Sequence, residues 1–285
     1  MVGRAVAPGP KEVPGAEAEV SLDRLLALAP TGASDHFGAV VPPTNGARAF
    51  GGHLLALALR AAARTVPVGW PALAPHSLHA RFVRPGTVGD PVGLAVERVR
   101  DGRTTALRRV AVTGSDGRLV ANVETAFRLP EESTPDWSVP TEAGGPPCEV
   151  LDSPMTTALP LAPFEVRSVH PHVRGGPARL HPYWARLRSP LPPDPVLDAC
   201  LLVILTDIGV SGSARRPGAP MREQRRSVSL DHALWIHRPF PRGDWVLVEA
   251  KAESNAGGRG FARGAVRLAD GIPVASFGQE VLLDP

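Results

Sequence analysis

The sequence predicts an α+β chain built as two tandem copies of an antiparallel sheet wrapped around a central helix. Three observations carry that prediction. Two stretches, 49–64 and 196–207, are apolar on nearly every face over a helical length. Each is followed by strand-like runs broken at glycine-containing turns. The last strands of the two halves also align without a gap, Arg-Leu-Val-Ala-Asn-Val-Glu-Thr-Ala-Phe-Arg-Leu at 118–129 against Ile-Pro-Val-Ala-Ser-Phe-Gly-Gln-Glu-Val-Leu-Leu at 272–283. In that register Thr125 meets Gln279, and Asp116-Gly117 mirrors Asp270-Gly271. Duplication of one supersecondary unit explains such self-similarity.

Taken in order, residues 1–19 form a flexible tail rich in Pro, Gly and Ala. Residues 20–130 form the first copy, 131–163 a Pro-rich linker, and 164–285 the second copy. Ser21 can cap a helix over 22–28, with Asp23 in the first turn where a negative charge is favoured. Residues 36–43 read as a short strand or loop. The helix over 49–64 should be buried, since it lacks a polar face. Gly51 and Gly52 at its start leave backbone N–H groups open to a ligand. Strands are expected at 77–83, 92–99, 104–113 and 118–128. In the second copy they are expected at 164–169, 180–187, 229–240, 245–252, 259–268 and 273–283, with the apolar helix at 196–207 among them.

The bulk properties set limits. At 285 residues, 43% hydrophobic and 21% charged, the chain can bury two cores of ordinary size. A net charge of +3 is no nucleic-acid signature. The densest basic patch is Arg215, Arg216, Arg222, Arg225 and Arg226, which reads as a solvated loop or as a landing site for phosphates. Cys148 and Cys200 fall in the linker and in a buried helix, so no disulfide framework is expected. Residues 1–20 hold no apolar core of a signal peptide, and the apolar run 199–205 is too short to cross a bilayer. A cytoplasmic protein is expected, with no membrane partner. The excess of arginine over lysine suggests a high-GC bacterial source.

The strand at 229–240 draws attention first. Leu230, Leu234 and Ile236 alternate with Ser229, Asp231, Ala233, Trp235 and His237, which places a hydroxyl, a carboxylate and an imidazole on one side. An amphipathic strand with a wet face gives the same pattern. An earlier stretch, 76–85, is a worn copy, with His79-Ala80 opposite His232-Ala233 and His76 opposite Ser229. Comparing the copies is informative. The first helix carries no carboxylate, whereas the second ends in Thr206-Asp207, an acid in apolar company. An ionised Asp there is costly unless hydrogen-bonded or employed. Only the second copy supplies a carboxylate, a hydroxyl and an amide together: Asp207 as base for a water, Ser229 and Gln279 as its orienting partners. The alternative is that Asp207 merely ends its helix and Gln279 is a surface residue. His53 is either a site residue or a helix-start and core residue. His170-x-His172 is weak as a metal site, and no metal or cofactor is expected. There is no Gly-x-Ser-x-Gly elbow, and the glycines at 258, 260 and 264 miss the dinucleotide fingerprint.

Several segments occur in an order that resembles a known family: Phe50-Gly-Gly-His-Leu, His76-Ser-Leu-His with Arg84-Pro-Gly86, Arg100-Asp-Gly-Arg103, Ser229-Leu-Asp-His-Ala-Leu-Trp-Ile-His-Arg-Pro-Phe240, Arg259-Gly with Arg263-Gly, and Gln279-Glu280. Together they resemble the two-domain acyl-CoA thioesterase II family, the double-hotdog thioesterases, over about 20–130 and 164–285. The resemblance implies hydrolysis of acyl-CoA, or a related acyl-carrier thioester, to free acid and thiol without a cofactor, within lipid metabolism. It also implies a catalytic aspartate, threonine and glutamine, which map to Asp207, Ser229 and Gln279. Serine in place of threonine keeps the hydroxyl and loses the stiffness of a β-branched side chain. His53 stands where close relatives usually have glutamine. With Gly51 and Gly52 it is expected on the substrate side, where a helix start near Gly52–His53 could hold the oxyanion. Asp231 and His237 are then structural, holding the strand against its helix. A double-hotdog protein that binds acyl chains without hydrolysing them is the rival reading. A hotdog hydratase is a poorer one, because the Asp-x-Asn-Pro-x-His segment is absent. Oligomeric state, a homo-oligomer included, is left open.

Overall fold

A computed structural model describes residues 22–42, 48–67, 72–131, 137–139, 141, 144–146, 163–169, 180–189, 191–216 and 227–283. Ser21, Cys148, His170, His172, Arg222, Arg225 and Arg226 lie outside the described residues, as do residues 1–19 and most of 131–163.

In chain order the elements are α1 (Leu22–Leu25), β1 (Ala29–Pro30), β2 (His36–Val40), α2 (Gly51–Ala63), β3 (Ala74–Phe82), β4 (Pro91–Asp101), β5 (Thr105–Thr113), β6 (Leu119–Arg128), β7 (Phe164–Ser168), β8 (Tyr183–Leu187), α3 (Pro195–Asp207), α4 (Val210–Ser213), β9 (Ser227–Ser229), β10 (Asp231–Ile236), β11 (Val246–Ala256), β12 (Arg259–Leu268) and β13 (Pro273–Leu283). The expected elements are present, with ends moved by a few residues. The first helix is shorter than expected, one turn and not two, and β11 runs longer than expected, to Ala256.

The strands form one antiparallel sheet in the order β1-β2-β4-β5-β6-β3-β10-β13-β12-β11-β8-β7, with β9 on β13. Every strand of the first six precedes residue 129 and every strand of the last six follows residue 163, so β3 against β10 is the seam between the halves. Leu78 pairs with Leu234 there and Ala80 with His232. The hairpins before β6 and β13 turn at Gly117 (φ 73°) and Gly271 (φ 86°), where the left-handed backbone favours glycine.

The long helices pack on each other and against this sheet. Leu54, Leu55, Leu57 and Leu59 of α2 and Leu201, Leu202, Ile204 and Leu205 of α3 are buried on all sides, as apolar helices must be. Asp194 caps α3, accepting from Val196 N–H at 2.9 Å and Leu197 N–H at 3.2 Å. The pair runs antiparallel. The Cys200 thiol, midway along α3, donates to Ala56 O of α2 at 3.4 Å, and the end of α3 meets the start of α2.

The register corrects two sequence pairings. Gly278 pairs with Ala233 in the second half, and its counterpart Glu124 pairs with His79 in the first. His79 therefore corresponds to Ala233, and Leu78 to His232. The strand expected over 229–240 is also not continuous. Ser229 opposes Val281 while Ala233 opposes Gly278, so four steps on one strand face three on the other. The extra residue is a bulge at Leu230. The first half carries the same irregularity between Pro75 and Ser77, which makes Pro75, not His76, the counterpart of Ser229.

The bulge divides the polar trio expected on one side. His232 and Leu234 face inward and are fully buried. Asp231 and His237 bond across the sheet and not to a helix, contrary to expectation. Asp231 accepts from Glu280 N–H at 2.7 Å and pairs with Arg81 at 3.3 Å, and His237 reaches Ser276 Oγ at 2.8 Å. Ser229, one slip further on, is returned to the inner side.

Candidate active site

Asp207 is the last residue of α3, and only 8% of it is exposed. Its Oδ2 accepts the Gly52 N–H at 2.6 Å, and its Oδ1 is buried with no partner. Backbone donors at a helix start suit a carboxylate. The glycines make this approach sterically feasible. A Cβ on Gly51 would stand 2.9 Å from Asp207 Oδ2, and one on Gly52 2.9 Å from Asp207 Cβ and 2.8 Å from the Phe50 ring. The expectation that this helix start is open to a ligand is corrected at Gly52, because its N–H is already taken by the carboxylate.

Gln279 reaches the same place from β13 and is completely buried. Its Nε2 donates to Ser229 Oγ at 2.7 Å, and its Oε1 lies 2.7 Å from His232 Nδ1. On the far side of that imidazole, Nε2 lies 3.1 Å from the hydroxyl of Thr206, which adjoins Asp207. The chain Thr206–His232–Gln279–Ser229 thus crosses from helix to strand to strand around one carboxylate. Burial raises the Asp207 pKa, while the charge of His232, the Gly52 N–H and the Gln279 amide pull it back.

The end of α3 is anchored by two further buried groups. Tyr183 OH donates to Leu205 O at 2.8 Å, and the His181 ring lies 2.6 Å from Ile208 O. Burial pushes the His181 pKa down to about 4, so near neutral pH this ring donates from one nitrogen as a neutral group.

A family model described as the acyl-CoA thioesterase N-terminal domain matches residues 40–128, and one described as the acyl-CoA thioesterase C-terminal domain matches 130–283. This chain belongs to the acyl-CoA thioesterase family. It is a thioester hydrolase. It is 29% identical over 259 residues to acyl-coenzyme A thioesterase 8 of Homo sapiens, covering 82% of this chain and 79% of that one. With acyl-CoA thioesterase 2 of Haemophilus influenzae it shares 28% over 253 residues, 82% of this chain and 87% of the other. Among solved structures, the acyl-CoA thioesterase II of Mycobacterium marinum superposes with a TM-score of 0.75 at 30% identity, over 92% and 96% of the two chains. A hot dog fold protein of Alicyclobacillus acidocaldarius gives 0.71 at 21% identity, over 95% and 99%; that likeness shows the fold.

In this thioesterase the three residues singled out as catalytic, Asp207, Ser229 and Gln279, converge, and Gly51 and Gly52 lie against the first of them. His53 does not join them through its ring: Nε2 is 2.6 Å from Leu25 O, and Nδ1 is buried without a partner. Burial lowers the His53 pKa and keeps the ring neutral. Thr206 and His232 were missed by sequence reasoning. The signal for His232 was present, since Leu230-x-His232-x-Leu234-x-Ile236 puts a lone imidazole on the apolar side of its strand. In the first half the matching residues are Leu78, Pro75 and Thr125, whose buried hydroxyl has no partner. Of the basic loop only Arg215 and Arg216 are described. Among the described residues no three His, Cys, Asp or Glu side chains gather as a metal site, and no helix is long and apolar enough to cross a membrane.

Proposed function

We propose that this thioesterase is a double hotdog, with one antiparallel sheet-and-helix unit in 20–130 and another in 164–285, and that it hydrolyses acyl-CoA or a related acyl thioester by direct attack of water. The observation that supports the reading best is the division of labour at Asp207. One oxygen is fixed by the Gly52 N–H and the other is buried with no partner, where a water can be held.

Asp207 removes a proton from that water as its oxygen bonds to the thioester carbonyl carbon. Gln279 Nε2 and Ser229 Oγ, 2.7 Å apart, fix the line of approach. With Gly52 engaged, the other N–H groups in the first turn of α2 serve the oxyanion. When the tetrahedral intermediate collapses the C–S bond breaks, and the proton on Asp207 passes to the departing thiolate. Acid and thiol leave, and the carboxylate is restored. A pKa raised by burial suits a general base, because proton transfer is most efficient when the base titrates near the working pH.

The test is a panel of acyl-CoAs of graded chain length, read by a thiol-reactive chromophore. Release of free CoA at catalytic rates is the expected outcome. Tight binding across the panel with no thiol released would establish the non-hydrolytic acyl-binding reading in its place.

A further inference from the structure

We propose that His232 is a positioning residue: it fixes the orientation of the Gln279 amide, and through it the attacking water. The inference rests on the hydrolytic reading above and extends it to a residue that does not touch the substrate.

A glutamine amide has two edges of similar shape and opposite chemistry, and which edge points where is decided by its partners. An ionised carboxylate only accepts. The edge that steadies the charged form of Asp207 is therefore the NH2 edge, the same edge that meets Ser229 Oγ at 2.7 Å. The carbonyl Oε1 is left facing His232 Nδ1 at 2.7 Å, a contact that is favourable only when Nδ1 carries a proton. On the other side Nε2 meets Thr206 Oγ1 at 3.1 Å, a hydroxyl that itself donates to Val203 O at 3.3 Å and so accepts from the ring, which then donates on both sides and cannot adapt to a turned amide. The decision is made between His232 and Gln279. Flip the amide and the carbonyl oxygen turns toward the carboxylate while the NH2 turns toward an imidazole N–H. Both contacts become repulsive.

The imidazole is well held for this task. It is completely buried and stacks on Phe277 of the adjacent strand, with centroids 6.1 Å apart and planes 24° apart. The strand registers within the two halves add an internal comparison. The first half has Leu78 where the second has His232, and Thr125 where it has Gln279. Leucine is thus a residue this fold packs at that place when no amide has to be oriented.

Steady-state kinetics of His232→Leu, His232→Asn, Gln279→Ala and the double variant His232→Leu/Gln279→Ala test the assignment, with melting curves as the folding check. A misdirected amide should lower kcat of His232→Leu about 10²-fold and leave KM within about threefold, as expected for lost positioning. Asparagine carries an N–H where the imidazole has Nδ1–H, and should recover about tenfold of that loss. In the Gln279→Ala background the leucine substitution should cost nothing further, because residues acting through one another are non-additive. Asparagine no better than leucine, or losses that multiply in the double variant, overturns the assignment. Should the leucine variant fail to fold, nitrogen-15 NMR of His232 in the wild-type protein decides: a proton on Nδ1 supports the proposal, and a bare Nδ1 overturns it. A wild-type protein that releases no thiol sinks the hydrolytic reading, and the Nδ1 measurement still judges the amide orientation.

Discussion

Replacing Asp207 by Asn separates chemistry from stability, and the structure sets the sign of both effects. Asn keeps the size of the side chain and an oxygen for the Gly52 N–H, now 2.6 Å from Oδ2. It cannot take a proton from water. Loss of a general base costs about 10²–10⁴ in rate, so kcat should fall at least about 10²-fold. Stability should move the other way. Burial raises the Asp207 pKa, so the folded protein binds that proton more tightly than the unfolded chain. The stabilisation belonging to the neutral acid is present below the unfolded value and is lost as pH rises through the folded one. Above the folded value the wild-type protein carries a buried charge, which costs about 1.4 kcal/mol for each pH unit of elevation. Asn removes that cost and should melt no lower than wild type, each kcal/mol being worth about 2–4 °C in a domain of 150–250 residues. The assays are thiol release and thermal melting at neutral and mildly acidic pH. A variant retaining more than about a tenth of the wild-type rate would refute the role of base. One that melts far below wild type would show that the charge is a structural partner instead.

Other outcomes follow from the same contacts. Ser229→Ala removes the acceptor of the Gln279 Nε2–H, and at about 1.4 kcal/mol for such a bond should lower kcat roughly tenfold, with Ser229→Thr close to wild type; an unaffected alanine variant would show that the hydroxyl is idle. Gly52→Ala forces a Cβ to within 2.9 Å of Asp207 Cβ, so overpacking of about 1–3 kcal/mol should lower Tm and displace the carboxylate, with kcat falling too; wild-type behaviour in both would deny the close approach. His181, lowered from 6.5 to about 4, binds its proton more weakly in the folded state, so stability is lost as pH falls through that interval. The loss should come to about 3 kcal/mol in urea unfolding and shrink markedly in His181→Asn; an equal loss in that variant would assign the acid sensitivity elsewhere.

Much of the fold was legible because its signals are local. Apolar residues on every face of 196–207 require burial wherever that helix packs, and an aspartate ending such a run is conspicuous for the same reason. The proposed duplication rests on 118–129 against 272–283, since repeated packing demands leave repeated residues. Placing Ser229 on the same side of the 229–240 strand as Asp231 and His237 was a less successful inference. Period two assumes an unbroken strand, and the bulge at Leu230 inserts one residue that no local pattern announces.

The sequence alone indicated two apolar helices each followed by strands, an acid ending only the second helix, and a hydroxyl and an amide later in the same half. Tertiary structure decided how those groups meet. Antiparallel packing of α2 on α3 brings the Gly52 N–H to Asp207 across 155 positions of sequence. A one-residue slip turns Ser229 inward toward Gln279. The β10–β13 register sets His232 beside that amide, and the corresponding β3–β6 register leaves Leu78 in the matching place. Each is a relation between distant segments, fixed by which faces pack and in what register, and a chain read residue by residue carries the faces without the register.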